Sequence, residues 1–392
     1  MSEPLPVAVF RHNLFRVSET YVLDQARRLQ RYRPCFLGRL RHASPPPGPD
    51  GVPDALTLRD DAGLSWPAIG AQMLTRNPAP YLRLLRARPR PALVHAHFGV
   101  DGVYALPVAD RLGVPLVTSF HGFDATLSTA AFFCSPAWAN YPLFRRRLSR
   151  RGALFLPASD FLRERLLAQG FPPGRTRTHY IGVDTDRIRP RDPGAERPAI
   201  LHVARLVPVK GTEVLLRAFA LLPPALRDRV ELRLVGDGPL RSRLERLARE
   251  LGIAGRTRFL GSLPHDAVLS ELRRAAVLVL PSVRTAGGRV EGLGLVLLEA
   301  AATGVPTIGS AIGGIPECVR DHETGLLFPP GNAPVLAARL GSLLQDEASR
   351  RRFGAAGRAM AEREFDLDRR TRALESLYDE AVRDHRASGR GA

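Results

Sequence analysis

At 392 residues, 44% hydrophobic and 24% charged, the chain has the make-up of a folded globular protein and exceeds the span of one core, so two domains are expected. A formal net charge of +18 invites polyanions, anionic membrane surfaces or phosphorylated substrates as partners. The surplus is spread, with 25 Arg against 14 acids in residues 1–187 and 32 Lys+Arg against 25 acids in the remainder, which argues against a dedicated nucleic-acid binder.

In chain order, short Val/Leu-rich runs alternate with longer helical patterns, the signature of βαβ units and parallel sheets. The first series of strands is expected at 7–10, 35–40, 92–97, 115–120 and 153–158, with helical stretches ETYVLDQARRLQRY and DGVYALPVADRLG between them. SPPPGPDGVPD (44–54) reads as a loop. AWANYPLFRRRLSRR (137–151) sets Trp138, Tyr141 and Phe144 among arginines; it reads either as an interfacial membrane helix or as a partly buried helix with a solvated basic face. GVDTDRIRPRDPGAERP (182–198) is dense in Pro, Gly and charge and reads as a linker. Strands AILHVARL, VELRLVG, TRFLGS, AVLVLPS and VPTIGS follow, with helices beginning near Thr212, Pro239, Asp266 and Leu293. The last stretch, DLDRRTRALESLYDEAVRDHR, is a long polar helix with a thin apolar stripe. The expected architecture is α/β: a Rossmann-like domain at 1–183, a linker at 184–198 and a second Rossmann-like domain at 199–366. Two such sheets would face one another across a cleft at the carboxyl ends of their strands.

No apolar run approaches the roughly 18 residues of a membrane span. MSEPLPVAVFRHN lacks the basic start of a secretory signal, and Cys35, Cys134 and Cys318 show no paired spacing, so a cytoplasmic protein without disulfides is expected.

Lys210 is the only lysine among 57 Lys+Arg, and it stands five residues after Arg205 at the end of the first strand of the second half. A composition that accepts arginine almost everywhere keeps an ammonium here, beside a planar guanidinium, a pair suited to a diphosphate. Glu291 and Glu299 frame EGLGLVLLE, with seven residues between them. A fully helical stretch would set them about 12 Å apart along the axis, suiting a ligand with hydroxyl groups at both ends and phosphate between. Glu299 lies in an apolar helix, where a carboxylate needs a partner. GDGP (236–239) allows a tight turn and close approach of a donor ligand at Gly236, and His121 follows the strand PLVTSF with Asp124 in the same loop. Asp124 would orient His121 or, by preference, cap a helix. Asp-Thr-Asp at 184–186 lacks further carboxylates and is not read as a metal site; dinucleotide-binding and Walker glycine patterns are missing.

Arg205, Lys210, Glu291 and Glu299, with GDGP and IGGIPE (312–317), resemble the retaining nucleotide-sugar glycosyltransferases of the two-Rossmann-domain (GT-B) type, family 4. HAHFG (95–99), SFHGFD (119–124) and VSETYVLDQ (17–25) resemble the branch that builds colanic acid and other exopolysaccharides, so the likeness covers nearly the whole chain. It implies transfer of a hexose from a UDP- or GDP-sugar to a lipid-linked or oligosaccharide acceptor, without metal or other cofactor. It implies that Arg205 and Lys210 hold the diphosphate, Glu299 the ribose and Glu291 the sugar, with the amides of Gly292, Leu293 and Gly294 near phosphate or sugar. His121 would stand by the reacting sugar, and the first domain would bind the acceptor, with the helix 367–388 packing back on it. The usual Gly-Gly loop after the first strand is replaced by FRHNLFRVSET, whose Ser18, Glu19 and Thr20 would contact acceptor or cap a helix. A lipid-linked acceptor would suit peripheral association at the inner face of the cytoplasmic membrane. An epimerase of the same fold and a non-enzymatic polyanion-binding protein are the rival readings; the first is separated by acceptor-free isomerisation, the second by salt-sensitive binding to nucleic acid.

Overall fold

The computed structural model describes residues 3–16, 19–42, 51, 53–191 and 198–389. Ser18 and most of the proline-rich segment 44–54 lie outside them. The chain divides into two compact units, residues 1–182 with 367–392 and residues 183–366.

The first unit is built on β1 (Leu5–Phe10), β3 (Tyr32–Gly38), β5 (Ala55–Thr57), β6 (Leu93–His97), β7 (Leu116–Phe120) and β8 (Leu154–Pro157), with the short pair β2 (Asn13–Leu14) and β4 (Leu40–Arg41) beside it. Sheet order is β5-β3-β1-β6-β7-β8, every pair parallel. The chain therefore winds outward in one direction from β1 and in the other from β6. Alternation along each strand sends residues to opposite faces. Ala8, Phe10, Val94, Ala96 and Phe120 pack into a core with the helix Gly99–Leu112, whereas Val7, Leu93, Val117, Leu154 and Leu156 meet the opposite face. That face is covered by the helix Leu367–Ala387, through Leu374, Tyr378, Ala381 and Val382. Burying such side chains contributes about 1.5–3 kcal/mol each for the larger ones. Polar contacts fix the helix: Glu375 accepts from the amides of Gln30 and Arg31, and the Tyr378 hydroxyl meets His95 Nδ1 at 2.5 Å.

The second unit repeats the plan with β9 (Ala199–Val203), β10 (Glu231–Val235), β11 (Thr257–Gly261), β12 (Val277–Leu280), β13 (Thr307–Ser310) and β14 (Gly325–Phe328). Its order is β11-β10-β9-β12-β13-β14, again all parallel. Central strands β9 and β12 are buried along almost their whole length, which is why β12 reads as an unbroken Val/Leu run and β9 as an apolar run interrupted by His202.

AWANYPLFRRRLSRR resolves as the helix Asn140–Arg151. Its aromatics turn inward: Tyr141 is buried against Phe132, Trp138 lies against Phe123, and Phe144 lies beneath the Arg76 guanidinium at 3.2 Å. They do not form an outward aromatic face. Leu143 is the apolar side chain of this helix left outside, at 62% exposure.

Candidate active site

In an open α/β sheet, ligands bind beyond the carboxyl ends of the strands where the winding direction reverses. In the second unit that point lies between β9 and β12. The chain leaving β9 passes Arg205, makes a 3-10 turn at Pro208–Lys210 and enters the helix Thr212–Ala220 through Gly211. Gly211 has φ +63°, and a Cβ on it would stand 1.9 Å from the Pro281 carbonyl oxygen, so only glycine lets this turn close on the segment after β12. Val283 N–H donates to Val209 O at 2.9 Å, and His202, buried in β9, bonds Val279 O and Thr212 Oγ1. The two strand-end loops are thus held together by their backbones.

This closure brings Lys210 Nζ to 2.5 Å from Glu291 Oε2, and the Ser282 hydroxyl donates to the same oxygen at 3.3 Å. Burial alone would push the Glu291 carboxyl up; Lys210, the Ser282 hydroxyl and Arg289 outweigh it and hold the group below the usual carboxylate range. Arg289, itself depressed by burial and by Arg205, adds a third cation beside the pair. Arg205 is exposed, with no acidic partner among the described residues.

Glu291 precedes the helix, which begins only at Leu295 because Gly294 adopts φ +99°. The eight-residue helical spacing between the two glutamates therefore does not hold. The Gly314 amide donates to Glu291 O at 3.2 Å, and Cys318 Sγ donates to Leu293 O, so IGGIPE braces this loop; Gly292, Leu293 and Gly294 are buried in it. Glu299 lies on the helix Leu295–Ala302 with its Oε1 2.9 Å from His265 Nε2. His265, which opens the helix His265–Arg274, supplies the partner that an acid on this apolar helix requires. Gly236, at φ +122°, packs so closely that a Cβ would stand 2.0 Å from Ala204 O, tying the turn after β10 to the segment that carries Arg205. The structure thus joins Lys210 with Glu291 and sets Glu299 in a separate pair.

The first unit reverses its winding between β1 and β6, and there too an ion pair spans the two strand ends. Arg11 meets Asp101 at 2.5 Å and Glu19 at 2.9 and 3.0 Å, while Asp101 accepts from the His12 amide and contacts His12 Nδ1. Burial would raise the Asp101 carboxyl, but Arg11 and His12 drive it well below the ordinary carboxylate value. Asp101 also sits in the first turn of Gly99–Leu112, where the helix dipole favours an anion. Glu19 precedes the helix Thr20–Arg27 but makes no side-chain cap, because its carboxylate is turned to Arg11.

His121 follows β7. Its Nε2 lies 3.1 Å from His97 Nδ1 in a stacked pair, Phe98 and Tyr21 flank the ring, and Nδ1 has no hydrogen-bond partner among the described residues. Burial above all, aided by His95 and Arg11, pushes His121 down to about 3, so the imidazole is neutral at ordinary pH. Asp124 takes amide N–H bonds from Gly99, Gly122 and His121. It therefore caps the start of Gly99–Leu112 and fixes the loop backbone beneath His121; burial raises its own carboxyl to about 6. Arg11, His12, Asp101, Ser282, Arg289 and His265 escape a reading by motif, since each looks in sequence like an ordinary loop or first-turn residue. Among the described residues no group of three or more His, Cys, Asp or Glu is placed to hold a metal ion.

Two family profiles match in succession, Glycosyltransferase Family 4 over residues 18–187 and Glycosyl transferases group 1 over residues 184–360. A GDP-mannose-dependent alpha-(1-6)-phosphatidylinositol monomannoside mannosyltransferase of Mycolicibacterium smegmatis is 35% identical over 286 residues, 67% of this chain and 70% of that protein. The chain belongs to glycosyltransferase family 4. Another relative is WcaL of Escherichia coli K12, a putative colanic acid biosynthesis glycosyltransferase, 35% identical over 260 residues, 64% of this chain and 61% of that one. Among solved structures, HepE of Anabaena, crystallised with UDP and glucose, superposes with a TM-score of 0.76 at 19% identity, covering 96% of this chain and 100% of that one, a likeness of GT-B fold.

Proposed function

We propose that this family 4 enzyme transfers a hexose, with retention, from a UDP- or GDP-sugar to a lipid-linked or oligosaccharide acceptor in surface-polysaccharide assembly. The observation that carries the reading is the cation cluster at the β9/β12 reversal, where Lys210 pairs with Glu291 beside Arg289 and near Arg205. A diphosphate entering there would take the free Arg205 fork and share Lys210, so charge growing on the leaving nucleotide meets fixed cations without calling on a metal. Glu291 would then be released toward the sugar hydroxyls. Glu299, held by His265, would accept from the ribose diol. Neutral His121 would offer one hydrogen bond to the transferred sugar through its unpartnered Nδ1 and would not serve as an acid. The M. smegmatis relative's name specifies GDP-mannose and the Anabaena structure holds UDP, which supports both nucleotide classes as candidates.

A thermal-shift panel of nucleotide sugars tests this. One UDP- or GDP-hexose is expected to raise the melting temperature, since a ligand that binds only the folded state stabilises it. Glu299→Gln should lose most of that shift and the associated transfer. No response to any nucleotide sugar, or acceptor-free isomerisation of the donor, would overturn the assignment.

We propose further that the enzyme works at the inner surface of the cytoplasmic membrane, touching it peripherally. No helix among the described residues is long and apolar enough to cross a membrane. Instead Leu143 and Leu74 are exposed at 62% and 80% on helices joined by the Asn140–Met73 hydrogen bond, beside exposed Arg146 and Arg147. Flotation with phosphatidylglycerol vesicles should recover the protein in a salt-sensitive manner, and Arg146→Gln/Arg147→Gln should weaken recovery. Equal recovery with uncharged phosphatidylcholine vesicles, or none with either, would refute the charge-led contact.

A further inference from the structure

Arg11 and Arg39 are the buried arginines among the described residues, 7% and 6% exposed. They leave neighbouring strands at the same end of the first sheet, for β1 pairs with β3 and the Arg39 amide donates to His12 O at 2.8 Å. Their surroundings differ sharply. Arg11 is matched by Asp101 and Glu19, whereas the Arg39 side chain makes no hydrogen bond or ion pair among the described residues, and its Nε is sealed from solvent. Two further atoms nearby are buried without a partner among the described residues, His12 Nε2 and the Tyr81 hydroxyl. Rings connect them: Phe10 packs edge-on against both His12 and Tyr81, at 5.5 and 5.1 Å, and His12 against Tyr104 at 4.4 Å. Arg39 acts electrostatically on His12, Tyr81 and Tyr104, and so does Asp101, the acid they share. Asp101, however, is engaged by Arg11 and His12.

A guanidinium held out of water without a counter-ion is costly, and removing solvent from it without giving it an acceptor has no structural benefit for the empty protein. A water molecule would satisfy one N–H yet leave the charge unmatched. An oxyanion answers both needs, because the planar fork of arginine binds phosphate oxygens in pairs. The remaining groups define its surroundings. Tyr81 O–H is a donor to a phosphate oxygen. His12 turns Nδ1 to the Asp101 carboxylate, which places its proton there and makes Nε2 an acceptor for an adjacent hydroxyl.

We infer that Arg39, Tyr81 and His12 form a phosphate subsite in the first unit, one that takes a phosphate group lying next to a hydroxyl. It is separate from the diphosphate cations proposed on the second unit, and it rests on the transferase reading only in taking the bearer of the phosphate to be a phosphorylated saccharide acceptor.

The test uses the full chain carrying Arg205→Met, Lys210→Met and Arg289→Met, which removes the cation cluster proposed for the diphosphate. In that background inorganic phosphate should still raise the melting temperature, and adding Arg39→Met should abolish the shift. In phosphate-free buffer the Arg39→Met protein should melt no lower than its parent, since the substitution removes an unmatched buried charge. If Arg39→Met fails to fold, Tyr81→Phe, which keeps the ring packing, should still reduce the phosphate shift. Glucose 6-phosphate giving a larger shift than phosphate plus glucose would identify a phosphorylated saccharide as the bearer; equal shifts would assign the same subsite to free phosphate. A phosphate shift that survives Arg39→Met and Tyr81→Phe unchanged, or no shift in the parent background, would overturn the inference. Nucleotide-sugar binding by the unmodified chain is measured separately, so the two readings can fail independently.

Discussion

Lys210→Ala is expected to lower the transfer rate by about 10²–10³-fold, the range for losing one fixed charge-stabilising group at a reacting centre. The effect has two parts. The ammonium that would face the donor diphosphate is gone, and Glu291, 15% exposed, loses the partner that lies 2.5 Å away. Its carboxyl should then rise toward or above its ordinary value, since burial no longer has Lys210 to oppose it. The pH–rate profile of the residual activity should shift in step, which a merely structural role for Lys210 would not produce. Lys210→Arg, which restores charge but not the compact ammonium geometry, should recover only part of the rate. Undiminished transfer by Lys210→Ala would remove the second-unit cluster from the reaction.

Acidification should destabilise the protein by on the order of 5 kcal/mol between neutrality and pH 4, summing a pKa unit at about 1.4 kcal/mol over the groups concerned. Burial is the leading cause that holds His12, His179 and His202 down to about 4 in the folded chain. Unfolded, each would titrate near 6.5. Between those values the unfolded chain binds more protons, so the stability these residues confer is complete above about pH 6.5 and is lost as pH falls toward 4. Asp124 works the other way. Its carboxyl, held up at about 6 chiefly by burial, gives stability that fades as pH rises through 6, so it offsets part of the histidine loss. Urea unfolding at stepped pH measures the balance. A midpoint that stays flat from pH 7 to 4.5 would mean that these histidines are not kept neutral by the fold.

The central strands were readable because parallel strands covered on both faces open on apolar Leu and Val residues, as in LVHAH, LVTSF and VLVL. The edge strands Ala55–Thr57 and Gly325–Phe328 escaped notice; three or four residues at a sheet margin carry too little pattern to stand out from a loop. The helix expected near Leu293 starts two residues later, since Gly294 holds a backbone conformation that no right-handed helix contains. At the candidate site, spacing placed Lys210 and Glu291 on loops that follow strands, but it carried no sign of His265, 34 residues from Glu299. Asp101 was hidden for a different reason. An acid in a helix's first turn is ordinary in sequence, and only the strand order puts it between Arg11 and His12.

Because the sequence holds one lysine, Nζ of Lys210 is a built-in reporter. Reductive methylation with carbon-13 formaldehyde would give a single side-chain dimethylamine resonance, apart from the α-amino group, with no mutagenesis. At 24% exposure the amine is reachable, and its contact with Glu291 makes the signal sensitive to whatever parts the two charges.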